Sequence, residues 1–145
     1  MLHRSKVSRV MFDARVDTVD SALAGLSGDG AAQADLWSWA CREMLHETQT
    51  GMHQLSCRAG IDRHVAHDWR APVDVIEPAR PYLDRAVFAD ARLQTVNAGL
   101  DDERDAGGRA RLWRSRYVGL ISATLQGMRG VAARHRISTS LPTDS

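Results

Sequence analysis

The stretch Arg109-Ala-Arg-Leu-Trp113-Arg-Ser-Arg-Tyr117-Val-Gly-Leu120-Ile121-Ser-Ala-Thr124-Leu125-Gln-Gly-Met128 decides the fold. Its apolar residues return every third or fourth position and continue through Val131 and Ala132, which is the period of one face of an α-helix and not the alternation of a strand. Three more segments read the same way. Before it, Tyr82, Leu83, Ala86, Val87, Ala89, Leu93, Val96 and Leu100 predict a helix that opens at Pro81 and ends at the acidic run Asp101-Asp102-Glu103. Earlier still, Leu36, Ala40, Met44, Thr48, Gly51 and Leu55, flanked by Trp37, Cys41 and Met52, predict a helix over about 33–58. The first segment, over about 4–26, carries Val7, Val10, Met11, Ala14, Val19, Ala22, Leu23 and Leu26.

Breakers separate the four. Ser27-Gly28-Asp29-Gly30 and Gly107-Gly108 favour turns over helix continuation, and Pro72, Pro78 and Pro81 make a corner near 70–81, each proline lacking an N–H and restricting the residue before it. No alternating apolar and polar run and no internal repeat is read from the sequence. The expected fold is all-α: four main amphipathic helices in a bundle or extended helical array, a single domain over 1–136 and a flexible C-terminal tail over 137–145.

A chain of 145 residues with 43% hydrophobic and 26% charged side chains matches one folded domain and lies far from disordered compositions. Its least polar window, Tyr117 to Met128, falls short of the ~20 residues needed to span a bilayer. No signal-peptide core precedes it, and Cys41 and Cys57 form no C-x-x-C pair, so a cytoplasmic location with free thiols is expected. Charge is unevenly placed: seven arginines and no acid lie between Arg109 and Arg136.

Motifs for chemistry are incomplete. Glu43, His46, His53, His64 and His67 are the candidate metal ligands, and Glu43-Met-Leu-His46 has the Glu-x-x-His spacing of di-iron bundles, but no second copy exists. His46-Glu-Thr-Gln-Thr50 lacks the second histidine of a zinc protease. Solvated helix-face histidines are the favoured reading, so no metal, no cofactor and no enzymatic activity are expected. Arg109, Arg111, Arg114 and Arg116, interleaved with Trp113 and Tyr117, are candidates for an anionic partner, since guanidinium groups clamp phosphates or carboxylates. Nucleic acid is the less favoured partner because the pI of 7.9 lies below the ~9 of a nucleic-acid domain. Trp37 and Trp39 are two positions apart and cannot share a helix face, so Trp39 is expected on the outer side. Trp37, Trp39, Trp113 and Tyr117 are the candidate partner-binding aromatics.

The run Asp35-Leu-Trp-Ser-Trp-Ala, the glutamine-bearing turns Glu47-Thr-Gln-Thr and His53-Gln-Leu, the corner Asp68-Trp-Arg-Ala-Pro-Val-Asp-Val-Ile and the following Ala79-Arg-Pro-Tyr-Leu-Asp-Arg-Ala-Val together resemble the phasins. Those are small helical proteins that coat bacterial polyhydroxyalkanoate granules. The likeness covers about 35–102 and is one of pattern. It implies a non-enzymatic role, apolar stripes laid on a granule or on a protein partner, and assembly into a homo-oligomer. Two alternatives share the lack of motifs: a helical adaptor, chaperone or phage or secretion-machine component that contacts an acidic partner or nucleic acid through Arg109–Arg136, and a metal-binding helical bundle built on the histidines.

Overall fold

The computed structural model describes residues 11–62 and 82–139. It is all-α. Helix α1 covers Arg15–Gly25 and α2 covers Gly30–Arg58. A 3₁₀ turn, Arg85–Phe88, leads to α3, Arg92–Asp102, and α4 covers Ala106–Arg134. No strand occurs among the described residues, and no described helix is long and apolar enough to cross a membrane. The proline corner near 70–81 lies outside the described residues.

Each helix begins where a carboxylate meets an orphan N–H. Asp29 accepts from the Ala32 N–H at 3.1 Å, and Asp105 accepts from the Gly108 N–H at 2.7 Å. The second cap places Gly107-Gly108 inside the first turn of α4, where the sequence reading had made them a break. Asp13 and Asp90 act alike, accepting the N–H of Arg15 at 3.0 Å and of Arg92 at 3.1 Å. These turns interrupt the first and third predicted helices at 12–14 and 89–91, so both helices are shorter than their apolar pattern implied.

The four helices described are two copies of one hairpin, which corrects the reading that the chain has no repeat. Asp13-Ala-Arg-x-x-Thr-Val-x-x-x-Leu23 recurs as Asp90-Ala-Arg-x-x-Thr-Val-x-x-x-Leu100. Asp29, Leu36-Trp37, Thr48, Gly51-Met52 and Ile61 recur as Asp105, Leu112-Trp113, Thr124, Gly127-Met128 and Ile137. Contacts recur with them. Trp37 Nε1–H donates to the Met128 carbonyl at 2.8 Å, and Trp113 Nε1–H donates to the Met52 carbonyl at 2.7 Å. Both long helices close with a left-handed residue, Gly60 at φ +68° and Arg136 at φ +57°, after which Ile61 N–H returns to Ser56 O and Ile137 N–H to Ala132 O. Ile137 therefore packs against the core, whereas the sequence reading began a loose tail there.

Two apolar clusters follow from this pseudo-twofold arrangement. One joins Val19, Leu23, Leu36, Trp37 and Met44 to Leu125, Met128 and Val131, so α1 and the start of α2 bury the end of α4. The other joins Val96, Leu100, Trp113, Tyr117 and Leu120 to Met52 and Leu55, the same packing with the hairpins exchanged. Neither hairpin can bury its own apolar face, and each completes the other.

Candidate functional site

The two Asp-Ala-Arg triplets meet where α2 and α4 pack together, and they form the one large polar cluster inside the described bundle. Asp13 and Asp90 are buried, as are Arg15 and Arg92. Within each triplet the pair is bidentate: Arg15 Nε–H and Nη2–H donate to Asp13 Oδ1 and Oδ2 at 2.8 and 2.6 Å, and Arg92 does so to Asp90 at 2.8 and 2.7 Å. Across the pseudo-axis, Arg15 Nη2 lies 3.2 Å from Asp90 Oδ2 and Arg92 Nη2 lies 3.1 Å from Asp13 Oδ2. The remaining Nη1–H groups donate to backbone carbonyls, those of Met44 and Phe88 from Arg15 and those of Leu120 and Met11 from Arg92.

Two hydroxyls close the ring. Thr48 accepts from Arg15 Nη2–H at 2.8 Å and donates to Asp90 Oδ2 at 2.6 Å, while Thr124 accepts from Arg92 Nη2–H at 2.8 Å and donates to Asp13 Oδ2 at 2.6 Å. Burial pushes both aspartates up. The hydrogen bonds from their own arginines, the charges of both guanidinium groups and the threonine hydroxyls outweigh that cost, so both carboxyls titrate below the ordinary range. Every guanidinium N–H has an acceptor and every carboxylate oxygen has donors. A cluster so saturated has no spare base or nucleophile, and its chemistry is to hold two hairpins in register.

The residues singled out from the sequence fall elsewhere. Trp37, Trp39, Trp113 and Tyr117, the candidate partner-binding aromatics, are all buried, which corrects the expected outward placement of Trp39. Trp39 does leave the stripe of Trp37, but it turns beneath the 3₁₀ turn and meets Phe88 edge to face at 5.2 Å, so the chain itself covers it. Trp113 and Tyr117 pack on each other at 5.2 Å and on the His53 ring at 5.9 Å. His53 is thereby half-buried among aromatics, and His46 is half-buried on α2. Glu43 is buried beside Arg85, which lies 3.4 Å away. His64 and His67 lie outside the described residues, and among the described residues no three His, Cys, Asp or Glu side chains converge as a metal site.

The four arginines of the anionic cluster separate. Arg109 serves the fold, its guanidinium donating to the carbonyls of Ala59, Glu103 and Arg104. Arg111 is exposed and 3.7 Å from Asp105. Arg114 and Arg116 stay on the outer side of α4, exposed and half-buried respectively. At the far end of α4, Asp20 of α1 pairs with Arg134 and lies 2.7 Å from His135 Nε2.

Two of the troughs on the described surface share Phe12. One, of about 340 Å³, lies on the pseudo-axis above the ion pairs, between Phe12, Ala14, Ala89, Ala91 and Thr95. The other, of about 440 Å³, lies between Met11, Phe12 and the outer face of α4. Phe12 lines both and is 50% exposed, and Val118 on α4 is 41% exposed. The sequence reading missed the Asp-Ala-Arg cluster. Its signal was present as the repeated triplet, each followed at the same distance by Thr-Val and Leu.

Compared with family models, with curated proteins and with solved structures, the chain has no match in any of the three.

Proposed function

We propose that this protein is a non-enzymatic helical interaction protein, in which two repeated hairpins form a rigid rack that presents the outer face of α4 to an acidic partner. The saturated Asp13–Arg15–Asp90–Arg92 cluster carries this reading, because the most polar group of buried side chains is consumed in joining the hairpins and offers nothing to a substrate. Function then falls to surfaces. Between Arg109 and Arg136 the chain holds seven arginines and no acid, and Arg111, Arg114 and Arg116 project from the side of α4 that is turned away from the core.

Retention of the whole chain on immobilised poly-glutamate, compared with the Arg111→Glu/Arg114→Glu/Arg116→Glu variant, tests this. Salt-sensitive retention that the variant loses supports the reading, and equal retention of both proteins contradicts it.

Coating of an apolar granule is the second proposal, the role implied by the phasin resemblance. Among the described residues, Phe12, Val87 and Val118 are the large apolar side chains exposed to such a surface. The aromatic stripes could join them only if the hairpins separated and the ion pairs broke. Co-sedimentation with purified polyester tests it: pelleting with the granules would favour this role over the acidic partner.

A further inference from the structure

We infer that the surface joining the two hairpins is also a binding surface for a second copy of this chain, through which two chains exchange hairpins into a dimer. This goes beyond the acidic-partner reading and does not depend on it. The interface supplies the argument, because it is self-complementary. What the first hairpin contacts across the pseudo-axis, it also offers at the equivalent place. Arg15 and Thr48 meet Asp90, and Arg92 and Thr124 meet Asp13. Trp37 donates to the Met128 carbonyl and Trp113 to the Met52 carbonyl. Arg15 donates to the carbonyl of Phe88 and Arg92 to that of Met11, each two residues before an aspartate of the cluster. Val16 stands against Gly127, and Leu93 against Gly51. None of these contacts involves residues 63–81, which join the hairpins in the chain. A hairpin of another chain therefore satisfies them as fully as the chain's own.

One contact decides which hairpins pair. Asp20 meets Arg134 and His135, and the equivalent residues of the other copy are Asn97, Arg58 and Ala59. Two first hairpins together would set Asp20 against Arg58 and Ala59. Two second hairpins would set Asn97 against Arg134 and His135, so either pairing loses the contact between Asp20 and His135. The dimer therefore joins the first hairpin of each chain to the second hairpin of the other. Exchange requires the hairpins to come apart, which exposes both apolar clusters and strands the buried charges of Asp13, Arg15, Asp90 and Arg92. Monomer and dimer thus interconvert only through unfolding, and the concentration during refolding sets the outcome. A partner tethered by a short segment acts at an effective concentration on the order of 1 mM, so a second chain competes in that range.

The test uses the full-length chain, unfolded in urea and refolded at about 0.01 mM and at about 1 mM, with mass read by light scattering on a sizing column. Dimer is expected from the concentrated sample alone. It should survive dilution into native buffer and revert to monomer after a second urea cycle at the lower concentration. Two variants then show whether hairpins are exchanged. A Cβ at Gly127 would lie 2.8 Å from Val16 Cγ2, so Gly127→Ala crowds this contact and Val16→Ala relieves the crowding. In an exchanged dimer of one chain of each variant, the two substitutions meet at one interface and the parent pair is restored at the other. Co-refolded in equal amounts and resolved by native mass spectrometry, mixed dimers should exceed their statistical share by about twofold or more. Mixed dimers at the statistical share would overturn the proposal. Monomer alone at the higher concentration, or dimer formed merely by concentrating the folded monomer, would overturn it as well.

Discussion

Arg92 Nη2 lies 3.1 Å from Asp13 Oδ2, joining the start of the second hairpin to the start of the first. The pseudo-twofold relation returns the contact as Arg15 to Asp90 at 3.2 Å. Each Nη2 has only two hydrogens, and both are engaged at shorter distances by its own aspartate and a threonine. The cross-axis contacts are therefore chiefly electrostatic. They are strong because the groups are shielded from water, and costly to break for the same reason.

Acid should expose this dependence. Asp13 and Asp90 titrate lower in the folded chain than the ~3.9 of a free aspartate. Their contribution is complete above that value and is lost as pH falls through the depressed folded values. Urea midpoints should therefore be flat from pH 7 to about pH 5 and drop steeply below about pH 4. Asp13→Asn should flatten the acid limb. An acid limb unchanged in that variant would mean that other carboxyls govern it.

The long helices approach their neighbours at a pair of repeated glycines, and the two should respond differently to alanine. A Cβ at Gly51 would lie 2.1 Å from Leu93 Cδ1, the far end of a flexible and half-buried side chain. A Cβ at Gly127 would lie 2.8 Å from Val16 Cγ2, on a buried β-branched residue with little rotamer freedom. Gly51→Ala is expected within about 1 kcal/mol of the parent, because alanine favours helix by about that much. Gly127→Ala should lose roughly 1–3 kcal/mol. Chemical denaturation reads both.

Arg136 stands in the left-handed conformation that its counterpart Gly60 fills without strain. Arg136→Gly should therefore raise stability by about 0.5–1 kcal/mol, visible as a higher thermal midpoint. A lower midpoint would show that the Arg136 side chain contributes more than its backbone costs.

The two thiols divide by position. Burial pushes the Cys41 thiol up to about 12, so almost no thiolate forms at neutral pH, whereas Cys57 is exposed. An aromatic disulfide reagent should titrate one thiol rapidly in the folded chain and the second only in denaturant. Rapid modification of both would mean that the bundle opens readily.

The helical period of Trp113, Tyr117, Leu120, Thr124 and Met128 was legible because packing on one side imposes it on the sequence. The repeat was harder to see. Residues 26–29 join the first hairpin and 103–105 join the second, so the spacing slips by one between the halves, and the surface positions have diverged in charge. Two further features defeated local reading. Asp13 and Asp90 resemble ordinary exposed acids until a distant arginine buries them. Trp39 faces outward on its own helix and is covered only because Phe88 returns to it from far along the chain. Such contacts depend on tertiary closure, which periodicity does not encode.

The central claim is that cross-axis ion pairs lock two repeated hairpins together. A double-mutant cycle on Asp13 and Arg92, with Asp13→Asn, Arg92→Met and the pair compared by urea unfolding, tests it most directly. Each single variant should lose roughly 3–5 kcal/mol, because it strands a buried charge. The double variant should lose less than the sum by about 0.5–3 kcal/mol. Strict additivity would contradict the account.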